Sequence, residues 1–144
     1  MFKNYSTEEQ AKGKHIMFLG RYVPFHKGHS GIIQSMQTQK GLPVLILVRD
    51  TSELFPASVR VEMIGLWMKK EGIHGTAMVV PDVEGIYYGR DVGYKIEEIK
   101  GSGFEHISAT SIRNSLNAGN EEWKDMVAPG TEDIIHAYYL NKAE

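Results

Sequence analysis

Seven consecutive residues, Leu42-Pro43-Val44-Leu45-Ile46-Leu47-Val48, carry no polar side chain. A nearly continuous apolar run of this length suits a strand covered on both faces, the usual situation in a parallel sheet. Its neighbours agree. Upstream, Ile16-Met17-Phe18-Leu19 reads as a strand, followed by a glycine- and histidine-bearing turn and a helical segment from Ser30 to about Gln39 that Gly41 stops. Downstream, Pro56 can open a helix in its first turn. Val59, Met63, Leu66 and Trp67 then recur at helical spacing as far as Gly72, and Thr76 to Val80 reads as a third strand. Strand–helix–strand–helix–strand implies right-handed crossovers and a single open parallel sheet with helices on both faces.

Length and charge narrow what such a sheet can serve. The 144 residues suit one domain, divided into a polar N-terminal extension (1–14) and a folded unit (15–144). A net charge of −2 gives no bulk basic surface, so a nucleic-acid partner is not expected and any anion site must be built locally. The absence of cysteine excludes disulfides and thiolate metal sites. No apolar run approaches the roughly 20 residues that span a bilayer. The opening residues, with Glu8, Glu9 and Gln10, do not form a signal peptide. A cytosolic protein without a membrane partner is the default expectation, and a homo-oligomer stays open.

Ligands of open α/β sheets bind beyond the carboxyl ends of the strands. The turn Gly20-Arg21-Tyr22-Val23-Pro24-Phe25-His26-Lys27-Gly28-His29, Arg49-Asp50 and Pro81-Asp82 each follow a strand and should reach that one edge. In the first of these, Gly28 lets backbone approach closely, and a helix N-terminus offers free N–H groups and positive potential to a phosphate. His26 and His29 can donate hydrogen bonds to charge developing on a phosphoryl oxygen. A second constellation is His106-Ile107-Ser108-Ala109-Thr110-Ser111-Ile112-Arg113. Thr110 is the expected N-cap of a helix through Leu116, ending near Gly119, with Arg113 on its first turn. Hydroxyls, N–H groups and a guanidinium would converge there on an anion.

The first segment resembles the HxGH signature of the nucleotidylyltransferase superfamily, and the second resembles its ISSTxIR motif, with Ala109 in place of a serine. They stand in the superfamily's order, about 80 residues apart. Leu54-Phe55-Pro56-Ala57-Ser58-Val59-Arg60-Val61-Glu62-Met63-Ile64 is similar to the segment after the second strand of archaeal-type nicotinamide-mononucleotide adenylyltransferases. Arg21 and the Pro24-Phe25-His26 run are closer to that branch than to cytidylyltransferases, which usually carry threonine at the position of Arg21. Trp123 and Val127 resemble the family's tail.

The resemblance implies a Rossmann-like domain that moves AMP from ATP, with Mg2+, to a phosphorylated acceptor. Nicotinamide mononucleotide is the first choice, giving NAD and pyrophosphate. It implies His26, His29 and Arg113 as catalytic residues, and Gly20, Arg21, Tyr22, Lys27, Gly28, Ser108, Thr110 and Ser111 as nucleotide contacts. No protein metal ligand is assigned. The chain departs from the family between Asp82 and His106, where a full strand–helix unit is missing. Arg60, Tyr87, Tyr88 and Arg90 are the candidates for the acceptor in its place. Two other readings keep the same motifs: a cytidylyl- or adenylyltransferase with a different acceptor, and a nucleotide-binding regulatory module without turnover.

Plainer roles stand beside these. Arg60 shares a helix with Val59 and Met63, Asp50 and Asp82 suit strand-end caps, and Tyr87 and Tyr88 suit packing. His15, His74, His106 and His136 belong to no motif. Ile134, Ile135, Tyr138 and Tyr139 form an apolar stripe expected in the core, and Tyr94 to Lys100 can be helical. Other nucleotide devices are missing: there is no G-x-x-x-x-G-K-[ST] loop, Gly101-Ser102-Gly103 is no dinucleotide fingerprint, and no G-x-S-x-G elbow occurs.

Overall fold

A computed structural model of the chain describes residues 2–90, 93, 95–99 and 106–143. Its elements are β1 (Phe2–Asn4), α1 (Glu8–Lys12), β2 (Ile16–Gly20), α2 (Lys27–Lys40), β3 (Val44–Asp50), α3 (Ala57–Glu71), β4 (Gly75–Pro81), α4 (Ala109–Ala118), a 3-10 turn (Glu122–Asp125) and α5 (Glu132–Ala143). The strands form an open four-stranded sheet in the order β1-β4-β3-β2. Strands β2, β3 and β4 are parallel, as the alternation of apolar runs with helical periods demands.

The sheet as a whole is mixed, which corrects the expectation of a purely parallel one. Phe2–Asn4 runs antiparallel to β4, with Lys3 opposite Ala77. Three residues inside a polar segment carry too little periodicity to be read as a strand. Their place is secured from outside by the β4 edge and by an ion pair between Lys3 and Glu62 of α3 at 2.9 Å.

Register brings the carboxyl ends of the parallel strands together. Gly20 lies opposite Val48, and Asp50 opposite Pro81. Strand β3 runs two residues beyond Val48, so Arg49 and Asp50 are its last positions and do not follow it. Within β3, Val44, Ile46 and Val48 are fully buried while Leu45 and Leu47 are half-buried. The continuous apolar run thus resolves into one closed face and one partly covered one.

Helix α3 packs on β4, β1 and β3, and α2 on β2. The largest core side chains include Trp67, Phe25, Phe55, Met63, Ile64 and Met68, so the histidine turn (Phe25) and the helix after β3 share one core. Trp67 and Phe25 meet at 5.2 Å between ring centroids. From the C-terminal stripe, Ile135 is fully buried, and Ile134, Tyr138 and Tyr139 pack against the core. Helix α2 ends at Gly41 in the left-handed conformation at φ +66°, which a side chain would oppose. Lys95 to Ile99 are not helical, against the expectation for this stretch; Tyr94, Lys100 and Gly101-Ser102-Gly103 lie outside the described residues. Among the described residues, no helix is long and apolar enough to cross a membrane.

Candidate functional site

Strand β2 delivers the chain into the turn at Gly20, and the turn is closed by its own histidines. His26 is the N-cap of α2, in extended conformation, and its Nδ1 accepts the Gly28 N–H at 3.1 Å. His29, one turn into the helix, accepts the His26 N–H on its Nδ1 at 3.2 Å. The pair reproduces a capping box, with imidazoles in the places of the usual hydroxyl and carboxyl groups. The two rings stack with centroids 3.7 Å apart.

The capping geometry sets the proton positions. Burial pushes His26 down to about 4, and burial together with the neighbouring His26 pushes His29 down to about 3, so both rings are neutral near pH 7. A neutral imidazole that accepts on Nδ1 carries its proton on Nε2. Each ring of the stacked pair therefore carries its proton on Nε2.

The walls of this turn are aromatic. Tyr22 meets His29 edge to face at 4.9 Å between ring centroids, and Phe25 stacks on His29 at 5.7 Å and meets Tyr22 at 5.5 Å. Tyr22 holds φ +57°, a left-handed conformation that costs a non-glycine residue about 1–2 kcal/mol. Its ring lies over Gly20, where an added Cβ would stand 2.8 Å from Tyr22 Cζ. Gly20 is thus required by the close approach of Tyr22 itself.

The expectation of free amides at the start of α2 is corrected. Lys27 N–H donates to Met126 O at 2.9 Å, Gly28 N–H to His26 Nδ1, and His29 N–H to the His26 carbonyl. The first of these acceptors comes from the C-terminal segment: His26 pairs with Val127 in an isolated antiparallel bridge, and Ala128 N–H reaches Phe25 O. Nothing in the local pattern at Val127 announces a pairing with residues about 100 positions earlier. Lys27 is half-buried at the first position of α2.

The second motif meets the first through Arg113. Its Nη1 donates to the Val23 carbonyl at 2.8 Å and its Nη2 to Thr110 Oγ1 at 3.4 Å. The N-cap of α4 is Ser108, correcting Thr110: Ser108 is extended, and its Oγ accepts the Ser111 N–H at 3.1 Å and contacts Ser111 Oγ at 2.9 Å. The helix therefore starts at Ala109, and Arg113 opens its second turn instead of sitting on the first. Thr110 lies inside the helix, where its hydroxyl supports Arg113. The amides of Ala109 and Thr110 have no acceptor among the described residues, as expected for the first positions of a helix. Ser108→Ala should cost about 1 kcal/mol of stability, and Thr110→Ala clearly less, in urea unfolding.

Of the acceptor candidates, Arg60 meets the histidine turn at the Arg21 carbonyl, from the interior. Arg60 is fully buried, and its guanidinium donates to the carbonyls of Phe55, Arg21, Arg49 and Thr51 at 2.7–3.0 Å. It braces the interior instead of presenting a ligand contact, because its charge is already matched by carbonyl dipoles. Tyr87, Tyr88 and Arg90 are exposed on the irregular segment after β4, and Tyr87 donates to Glu84. Arg21 is exposed and paired with Glu53 at 3.1 Å. Arg49 and Asp82 pair at 2.8 Å across the ends of β3 and β4, and the Arg49 hydrogen bond holds the Asp82 carboxyl below its ordinary value.

Among the described residues, no three histidine or carboxylate groups stand together as a metal cage. Asp82 and Glu53 are each engaged by an arginine. Comparison with protein-family models and with curated proteins gives no match.

The histidine pair should make the fold acid-sensitive. Its folded values lie below the unfolded value of 6.5, so between them the unfolded chain binds more protons. This contribution is complete above about pH 6.5 and is lost as pH falls toward 4 and then 3. Each ring should contribute at most about 1.4 kcal/mol per pH unit. Urea unfolding at pH 7 and pH 5 should show the loss, and His26→Asn/His29→Asn should flatten it.

Proposed function

We propose that the chain is a nucleotidylyltransferase that transfers AMP from ATP to a phosphorylated acceptor, with nicotinamide mononucleotide as the first candidate. The observation that carries this reading is the stacked capping pair His26 and His29, whose Nδ1 atoms accept backbone N–H groups, in a turn tied to Arg113 by its bond to Val23 O. In this reading the domain is Rossmann-like, with helices on both faces of the sheet, and it works in the cytosol.

An acceptor phosphate oxygen would attack the α-phosphorus. The new P–O bond forms as the bond to the bridging oxygen breaks, and the electron pair leaves with pyrophosphate. An ionised phosphate needs no strong base, so the protein's task is positioning and charge stabilisation. Neutral imidazoles with fixed Nε2–H groups suit that task at pH 7, because they donate without first binding a proton. They would contact the oxygens on which charge develops. Arg113, with the first amides of α4, would hold the β- and γ-phosphates, and Lys27 would add a cation beside them. Magnesium would come with the bound nucleotide and neutralise part of its phosphate charge.

The exposed positions of Tyr87, Tyr88 and Arg90 favour a second reading, in which the nucleotide site is kept and the acceptor differs or is missing. One experiment separates them. ATP, magnesium and nicotinamide mononucleotide are incubated with the protein and the mixture is resolved by chromatography. NAD with pyrophosphate is the expected result. Pyrophosphate with another phosphorylated acceptor would move the substrate, and ATP binding without release for any acceptor would leave a regulatory module.

A further inference from the structure

Arg60 is a charged side chain with no exposed surface, and among the described residues its guanidinium donates to backbone carbonyls, with Glu53 and Asp50 near enough to favour its charge. Its four carbonyl acceptors come from three places: the chain leaving β2 (Arg21), the end of β3 and its exit (Arg49, Thr51), and the approach to its own helix (Phe55). Burying a guanidinium is costly, and an apolar side chain could fill the same volume. The Arg21 bond, at 2.7 Å, gives the charge a more specific use. That carbonyl belongs to the peptide plane just before Tyr22, and the orientation of this plane helps to set the Tyr22 φ of +57°. At that φ the Tyr22 ring folds back over Gly20 and lies edge to face with His29 at 4.9 Å.

We infer that Arg60 is a positioning residue of the proposed transferase: by holding the Arg21 carbonyl it sets Tyr22, and through Tyr22 the direction of the His29 Nε2–H. The inference rests on the transferase reading for its use in catalysis, but the physical relay from Arg60 to His29 stands apart from it. Lysine cannot replace the arginine. One ammonium lacks the planar fork that reaches carbonyls on several sides at once.

A brace for stability alone would change the unfolding midpoint without touching His29. The test is therefore made on the ring. In protein labelled with 15N-histidine, long-range 1H–15N spectra at pH 7 should show His26 and His29 each as a single Nε2–H tautomer. In folded Arg60→Lys, His29 should turn away from the His26 N–H and become a tautomer mixture. Turnover should fall at least about tenfold, with the KM for ATP changing less than about threefold, the pattern of a displaced donor. Unchanged His29 resonances in folded Arg60→Lys would overturn the inference. Should that variant not fold, Tyr22→Ala breaks the same relay one residue later and must produce the same change at His29. A moved His29 in a chain that releases no pyrophosphate would keep the relay and sink the transferase reading.

Discussion

His29→Asn is expected to fold with its helix capped and to lose turnover by at least about 100-fold, the scale for removing one donor that stabilises developing charge. The asparagine Oδ1 can take the place of Nδ1 and accept the His26 N–H, which the imidazole does at 3.2 Å. Nothing replaces Nε2–H. His26→Asn makes the same separation, because asparagine is itself a strong N-cap and can receive the Gly28 N–H. Glutamine divides the ring the other way: its amide reaches the Nε2 position as a donor but cannot cap. Asparagine variants should therefore keep stability and lose kcat, and glutamine variants should keep more kcat and lose stability. ATP affinity should change little in all four. Near-natural turnover in folded His26→Asn and His29→Asn would remove both rings from the chemistry.

Replacing Arg113 should produce the second large effect, on binding. Arg113→Ala removes a charge-assisted contact to the outer phosphates, so ATP should bind about 10- to 100-fold more weakly. AMP, which lacks those phosphates, should bind nearly as before. Arg113→Lys keeps the charge but cannot reach Val23 O and Thr110 Oγ1 together as the fork does, so it should recover only part of the loss. Calorimetric titrations with both nucleotides decide the matter, and equal losses for ATP and AMP would place Arg113 elsewhere. A lowered kcat in Arg113→Ala is also expected, because the bond to Val23 O ties α4 to the turn that carries the histidines.

The two constellations were legible in the sequence because each is short and punctuated. Gly20 to His29 sits between an apolar run and a helical period, and Ser108 to Arg113 opens a second helix ended by Gly119. Sequence alone puts the cap of that helix at Thr110, two residues late, since Ser108, Thr110 and Ser111 are all able to cap and only backbone geometry selects Ser108. Arg60 looked open to either role, because a helix face says little about whether a polar side chain meets solvent or carbonyls.

Determined by the sequence alone were the three parallel strands, the helices between them, their stops at Gly41 and Gly72, and the histidine turn at the carboxyl edge of the sheet. These depend on apolar period, caps and chirality, all of which act over a few residues or one crossover. Tertiary structure decided what the turn can do. The antiparallel Phe2–Asn4, the Met126 carbonyl on Lys27 N–H, the Arg21 carbonyl on Arg60 and the bond from Arg113 to Val23 O each join parts of the chain far apart in sequence. Such contacts form only after packing has brought their partners within about 3 Å, because a hydrogen bond beyond that range contributes little. The same packing buries His26 and half-buries His29, which holds both rings neutral near pH 7 with Nδ1 as the capping acceptor.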